Sequence, residues 1–452
     1  MTDVSTVTAQ PELKRAIGPK LLLFFVIGDI LGTGIYALTG SVAGVIGGAL
    51  WLPFLLAFIV AFITAFSYLE LVGKYPRAAG AALYTHKAFG INFLTFMVTF
   101  TVMASGVTSA ATAARAFGET YLRQFIVLPT WAVAGVFILG LALINFRGVG
   151  ESVKANVVLT CIELSGLLLI IGVGVYAVAQ GQGEPSRLVE INTGDTTALL
   201  AITAATSLAF FAMVGFEDSV NMAEECQNPP RIFPRAMLLG MGVAAAIYVV
   251  VAVLSSMLVP SDVLADAGSS ALFRVLEAGA PGFPLAVFAA IGLFAVVNSA
   301  LINMLMASRL LYGMSNERII PRIFGRVHPA RRTPWVAIVF TTIVAIILVA
   351  TADITLLGGT TALLLLAVFT IVNIAVLVLR RDHVEHEHFR APSWTPYVGV
   401  LLCGFLATPL SGRPLQQFVV AGILLVVGAV LWVINYLVIG RVDVDPEKLA
   451  KN

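Results

Sequence analysis

Gly28-Asp29-Ile30-Leu31-Gly32-Thr33-Gly34-Ile35-Tyr36 lies inside a strongly apolar stretch that runs from residue 21 to 46. Three glycines and an aspartate sit badly in a continuous apolar helix, because each interior glycine weakens a helix by about 1 kcal/mol relative to alanine. Non-helical backbone at membrane depth is tolerated only where it is buried in protein or lines a wet cavity. The stretch therefore predicts a broken membrane helix beside a cavity. Two other readings compete with it. The spacings Gly28-x-x-x-Gly32 and Gly40-x-x-x-Gly44 suit close helix packing, and Gly32-x-Gly34-x-x-Ala37 matches a dinucleotide fingerprint by letter. No strand precedes that fingerprint and its context is apolar, so it is set aside.

Outward from this stretch, predominantly apolar segments of about 20 residues recur, each long enough to cross a hydrocarbon core of roughly 30 Å. They fall at 21–46, 50–73, 93–118, 131–147, 155–179, 198–222, 236–259, 283–312, 334–351, 355–379, 396–410 and 417–439, twelve expected spans in an all-α integral membrane protein. The sixth contains Phe210-Phe211-Ala212-Met213-Val214-Gly215-Phe216-Glu217-Asp218, followed by Glu224-Glu225 and Asn228-Pro229-Pro230-Arg231. Interrupted spans at the start of each half point to an inverted repeat of five plus five helices with a binding site between the breaks. The letters of the two halves do not align, so the repeat rests on placement. The expected organisation is a cytoplasmic segment 1–20, a ten-helix core 21–379 (repeat one 21–179, repeat two 198–379), two extra helices within 396–439, and a cytoplasmic tail 440–452.

Composition agrees with lipid as the main solvent. The 452 residues are 59% apolar and 12% charged, against roughly 45–50% and 25% in soluble domains. That excludes a water-soluble globule, whose surface so few charges could not cover, and it excludes disorder for the opposite reason. A net charge of +2 provides no footprint for nucleic acid. Cys161, Cys226 and Cys403 are far apart in sequence and predict neither a disulfide framework nor a metal site. With twelve spans, 22 of the 27 Lys and Arg residues fall on the side of the N-terminus, and only Arg115, Arg123, Arg187, Arg274 and Arg413 on the other. The positive-inside rule then places both termini in the cytoplasm. The first span is too long and lacks the cleavage site for a signal peptide.

A broken helix leaves unpaired N–H groups at the start of one half and unpaired C=O groups at the end of the other. Such a pair suits a zwitterion, the carboxylate on the N–H groups and the ammonium on the carbonyls. An amino acid or a related amine is the expected ligand.

Gly32-Thr33-Gly34-Ile35, Glu70 with Pro76, Gly80 and Tyr84, Gly215-Phe216-Glu217 leading to Glu224-Glu225 and Asn228-Pro229, and Ser308-Arg309-Leu310-Leu311-Tyr312 together resemble the amino acid/polyamine/organocation permeases, in particular their proton-coupled and cationic amino acid branch. The resemblance spans about residues 15 to 440. It implies a LeuT-type fold with discontinuous first and sixth helices. It also implies that N–H groups around Gly32, Thr33, Gly34 and Ile35 hold the substrate carboxylate. The carbonyls of Ile30 at the first break and of Phe211 and Val214 at the second, marked by Gly215, would hold the amino group, and Phe211 would close over the substrate.

Three carboxylates sit within the expected spans. Glu163 lies nine residues past Lys154 and Asp29 nine past Lys20, each about 13.5 Å into the membrane. A carboxylate at a helix centre costs roughly 2.5–3.5 kcal/mol on insertion scales, so these groups and Glu217 are candidates for proton coupling. In the branch resembled, a lysine on the fifth helix can occupy the position of a sodium site. Glu163 stands at the matching position, which leaves a protonation switch, a sodium ligand with hydroxyls such as that of Ser299, and a simple structural role all open. Asp29 has a competing role in bonding N–H groups freed by the break. Asp218 and Glu224-Glu225 are expected to be solvated or salt-bridged at the cytoplasmic end of the sixth span. His86, His328, His383, His386 and His388 fall in expected loops, and no metal or cofactor is expected beyond a coupling ion, proton or sodium.

No nucleophile, base and orienting partner pair at a recognisable spacing, so an enzyme is not expected. A channel would show rings of repeated charges, whereas these carboxylates are single and unlike. The expectation is a secondary amino acid transporter of the cell membrane, driven by protons, with amino acid/amine exchange as the alternative.

Overall fold

The first span is two helices, not one. α1 (Pro19–Ile30) ends at Leu31, and α2 (Thr33–Ile46) starts from Gly32, whose ψ of −153° leaves the helical range. There follow α3 (Trp51–Lys74), α4 (Gly80–Phe89), α5 (Asn92–Ala116), α6 (Thr130–Arg147), α7 (Val153–Ala179), α8 (Ala198–Ala209), α9 (Pro229–Leu258), α10 (Ser261–Ala267), α11 (Ala271–Gly279), α12 (Leu285–Asn316), α13 (Trp335–Thr351), α14 (Ile354–Leu379), α15 (Thr395–Leu406) and α16 (Leu415–Ile439). This computed structural model describes residues 17–77, 80–147, 153–194, 196–316 and 320–439. The expected cytoplasmic tail and nearly all of the N-terminal segment, with Lys14, Arg15, Arg318, Arg441, Lys448 and Lys451, lie outside these residues.

Among the described residues, ten helical segments are long and apolar enough to cross a membrane. α13 and α15, where the ninth and eleventh spans were expected, are shorter apolar helices of 17 and 12 residues. α14 carries no charge in its 26 residues, and it starts where the Asp353 carboxylate accepts the Leu356 N–H at 2.7 Å, a cap of the kind that fixes a helix start. The outward faces are apolar, with Leu437 and Val438 each 77% exposed, as a lipid-facing surface requires.

The packing forms two groups. α9 packs on α1 and α3, and α3 also on α8, while α5 is the centre of a second group with α12, α13 and α14; α7 bridges α1, α9 and α12. Three short helices, α4, α10 and α11, stand where loops were expected. α11 is amphipathic, burying Leu272, Phe273, Val275 and Leu276, but at nine residues it is too short for a spanning pattern to register. α10 rests on α2 at Gly40, where a Cβ would be 2.2 Å from the Gly268 oxygen. Gly28 is equally a packing residue, since a Cβ there would lie 1.9 Å from Thr160 Oγ1. The helix-packing reading of these glycines is therefore right at Gly28 and Gly40, and the break sits between them.

Opposite α10, an ionic latch joins α3 to the chain after α14. Arg380 donates Nε and Nη2 to Glu70 at 2.9 and 2.8 Å, and the Ala391 N–H donates to the same carboxylate at 2.9 Å. Lys74 donates to the carbonyls of Leu379 and Asp382, and Tyr75 to the Asp382 carboxylate, a bond that holds Asp382 below the usual carboxylate range. The Glu70 side chain is only 5% exposed, so removing its partner strands a charge. Arg380→Met is expected to lower stability by about 2–3 kcal/mol, read as the midpoint of unfolding in SDS. The same change at exposed Arg381 should leave the midpoint unmoved; equal midpoints for the two variants would show that the latch holds nothing.

Candidate functional site

The sixth span breaks as the first does. α8 tightens into a 3-10 turn over Phe210–Met213, Val214 is extended (φ −71°, ψ 145°), Gly215 takes φ +123°, and a 3-10 segment Asp218–Glu225 follows. The two breaks cross backbone to backbone. A Cβ on Gly34 would lie 2.4 Å from the Ala212 Cα, and one on Gly215 would lie 2.6 Å from the Asp29 carbonyl oxygen. Glycine is required at both points by the neighbour's backbone, and at Gly215 also by its positive φ.

A narrow cavity opens between the breaks. Asp29, Ile30, Gly32, Thr33 and Gly34 form one wall and Phe211, Val214, Gly215 and Asp218 the other, with Ser109 of α5 and Ser299 and Asn303 of α12 closing it. Ser109, Val214, Asp218 and Asn303 also line a second cavity, which adds Ser105, Glu217 and Thr361. This second cavity lies toward the start of α5 (Val102) and the end of α12 (Leu310), the side on which Lys and Arg are concentrated. On the opposite side α10 packs on α2, and Arg413, 6% exposed, donates to the carbonyls of Leu406, Gly359 and Ser207 and to Gln417. A roomier cavity between α5, α13 and α16 has almost wholly apolar walls and offers nothing to hold a charged ligand.

Seven of the eight residues expected at the ligand line the first cavity: Ile30, Gly32, Thr33, Gly34, Phe211, Val214 and Gly215. Ile35 does not; it is fully buried and its carbonyl accepts from the Thr39 hydroxyl at 2.6 Å. Two of the freed backbone groups already have partners. Tyr248 donates to the Ile30 carbonyl at 2.5 Å, leaving that oxygen one lone pair, and the Gly215 N–H donates to Glu217 Oε2 at 2.9 Å. Phe211 both lines the cavity and packs against α14 at Gly358, where a Cβ would be 3.5 Å from its ring.

Asp218 departs from expectation. It lines both cavities instead of lying in solvent, because the turn at Gly215, closed by Asp218 N–H to Gly215 O at 3.0 Å, curls the chain back toward the break. Glu163 is 0% exposed, lies behind the cavity wall on α7, and has both carboxylate oxygens without a partner among the described residues. Tyr36 connects it to the first break, donating to the Glu163 backbone oxygen at 2.5 Å while its own carbonyl accepts from Tyr121 at 3.0 Å. Ser299 faces Gly32 on the cavity wall, which Glu163 does not reach. No group of three or more His, Cys, Asp or Glu able to hold a metal occurs among the described residues.

Ser105, Ser109 and Asn303 were not legible as site residues. The available signal was polar spacing: Ser105 and Ser109 on α5, like Ser299 and Asn303 on α12, stand four apart and so share one helix face.

Two crossed, glycine-lined breaks surround a polar cavity, and residues 17–441 match the family model for amino acid permeases. The chain belongs to the amino acid permease family. It is 27% identical over 425 residues to the methylthioribose transporter of Bacillus subtilis, covering 89% of each chain. It is 24% identical over 451 residues to the branched-chain amino acid permease BcaP of the same organism, covering 92% of each. Human cationic amino acid transporter 4 is 26% identical over 402 residues, 82% of this chain and 61% of the relative. The permease is thus a multi-pass membrane protein and a transporter of the amino acid class, not an enzyme.

Proposed function

We propose that this permease is a secondary active symporter that moves an amino acid with a proton by alternating access. It has twelve spans in a LeuT-type arrangement, with repeats 21–179 and 198–379, helices 396–439 outside them, and both termini in the cytoplasm of a cell whose plasma membrane holds the protein. The observation that carries this reading is the crossing of the breaks at Gly34 against Ala212 and Gly215 against Asp29, which puts half-helix ends around one polar cavity. Thr33 and Gly34, at the start of α2, are placed for a carboxylate; the carbonyls of Phe211 and Val214, with the remaining lone pair of Ile30, are placed for an ammonium.

The two packed groups supply the moving parts. α1, α3, α8 and α9 rock against the group around α5, α12, α13 and α14. Glu163 supports the proton as coupling ion, since a carboxylate at that depth without a partner is expensive to leave ionised. The test is uptake of labelled amino acids into proteoliposomes without sodium, with and without an inward proton gradient. Accumulation that follows the gradient is expected. Uptake only into vesicles preloaded with a counter-substrate would make the permease an exchanger instead.

A further inference from the structure

The junction of the two cavities is acidic and unbalanced. Asp29 and Asp218 line the first, Asp218 and Glu217 the second, and among the described residues no lysine, arginine or histidine lines either. Glu217 is occupied with the Gly215 N–H. Asp218 lies between the two cavities and lines both, as do Ser109 and Asn303. A second sign that the space is meant for a ligand is Thr33, 2% exposed, which lines the first cavity and whose hydroxyl has no partner among the described residues.

We propose that Asp218 is a specificity-determining residue that selects amino acids whose side chain ends in a positive charge. This deepens the reading above and rests on it. With the substrate carboxylate at Thr33 and Gly34 and its amino group at the carbonyls of the breaks, the side chain runs past Ser109 and Asn303 into the second cavity. There the Asp218 carboxylate receives an ammonium or guanidinium head. The pairing satisfies both partners at once: a cation at that depth is costly without a counter-charge, and so is the carboxylate. A neutral side chain of the same length leaves Asp218 unpaired, which is the stronger source of discrimination.

The experiment is counterflow in proteoliposomes holding the full-length protein, with labelled arginine against citrulline and labelled ornithine against norleucine, pairs alike in length but different in charge. Wild-type protein is expected to prefer the cation in both pairs by about tenfold or more, and Asp218→Asn to remove that preference. For a variant that binds without cycling, the shift of its thermal midpoint by each ligand reads the same ratio. Equal use of citrulline and arginine by the wild type overturns the inference while leaving amino acid transport standing. A preference that survives Asp218→Asn also overturns it. Failure of every amino acid to exchange in the wild type overturns the transport reading and this one together.

Discussion

Gly215→Ala is expected to cut amino acid uptake by about a hundredfold or more. Two independent costs fall on that one methyl group. The residue holds φ +123°, a region that L side chains occupy only under strain of roughly 1–3 kcal/mol. The new Cβ would also stand 2.6 Å from the Asp29 carbonyl oxygen and 2.8 Å from its carbon, well inside van der Waals contact, so one backbone must move. Neither can move without moving the site, because Asp29, Ile30, Val214 and Gly215 are themselves the cavity wall. Displacements of about 1 Å in a reacting or binding geometry are worth roughly a hundredfold. Gly242→Ala on α9 is the control: nothing lies within 4 Å of its Cβ position, and uptake by that variant should match the wild type. Uptake is measured per folded protein recovered in the vesicles. Normal transport by Gly215→Ala would mean that the crossing of the breaks is not the site.

The same residue shows what could and could not be read from the letters alone. Glycine beside charge in an apolar span is a local conflict, and at both breaks that conflict marks where the helix stops. What the crossing glycines touch is not local. Gly34 meets Ala212, nearly 180 residues away in sequence, and no spacing rule relates them. Gly28 and Gly40 carry the same letter for a different reason, close approach to Thr160 and to Gly268, so the packing motif and the broken-helix motif overlap in one segment. Asp218 was misplaced because a straight helix carries it toward the membrane face, while the turn at Gly215 keeps it at the cavity. Tyr248 gave no warning, since one tyrosine in α9 looks like any other until its hydroxyl is found on the Ile30 carbonyl. α10 and α11 escaped because a seven- or nine-residue helix buries too little to leave a periodic trace. Residues that conflict with their own segment were legible; residues whose role is set by a distant segment were not.

Glu163→Gln separates transport from its driving force. Glutamine keeps the size and shape of the side chain and loses only the proton that can be released. Glu163 is 0% exposed with both oxygens unpartnered among the described residues, so the change removes no hydrogen bond seen in this state, and the Tyr36 bond goes to the backbone oxygen, which the variant retains. Substrate contacts are expected to survive, because Glu163 does not line the cavity. For one proton per substrate, an inward gradient of one pH unit stores about 1.4 kcal/mol and sustains up to roughly tenfold accumulation. Wild-type vesicles should approach that ratio, whereas Glu163→Gln vesicles should stop near equal concentrations while counterflow stays within about threefold of wild type. Asp29→Asn distinguishes the other candidate. Asp29 does line the cavity, so its variant should alter apparent substrate affinity, a change not expected of Glu163→Gln. Tenfold accumulation by Glu163→Gln would remove Glu163 from the coupling step and leave it a structural group; loss of accumulation in Asp29→Asn alone would transfer the proton to the cavity wall.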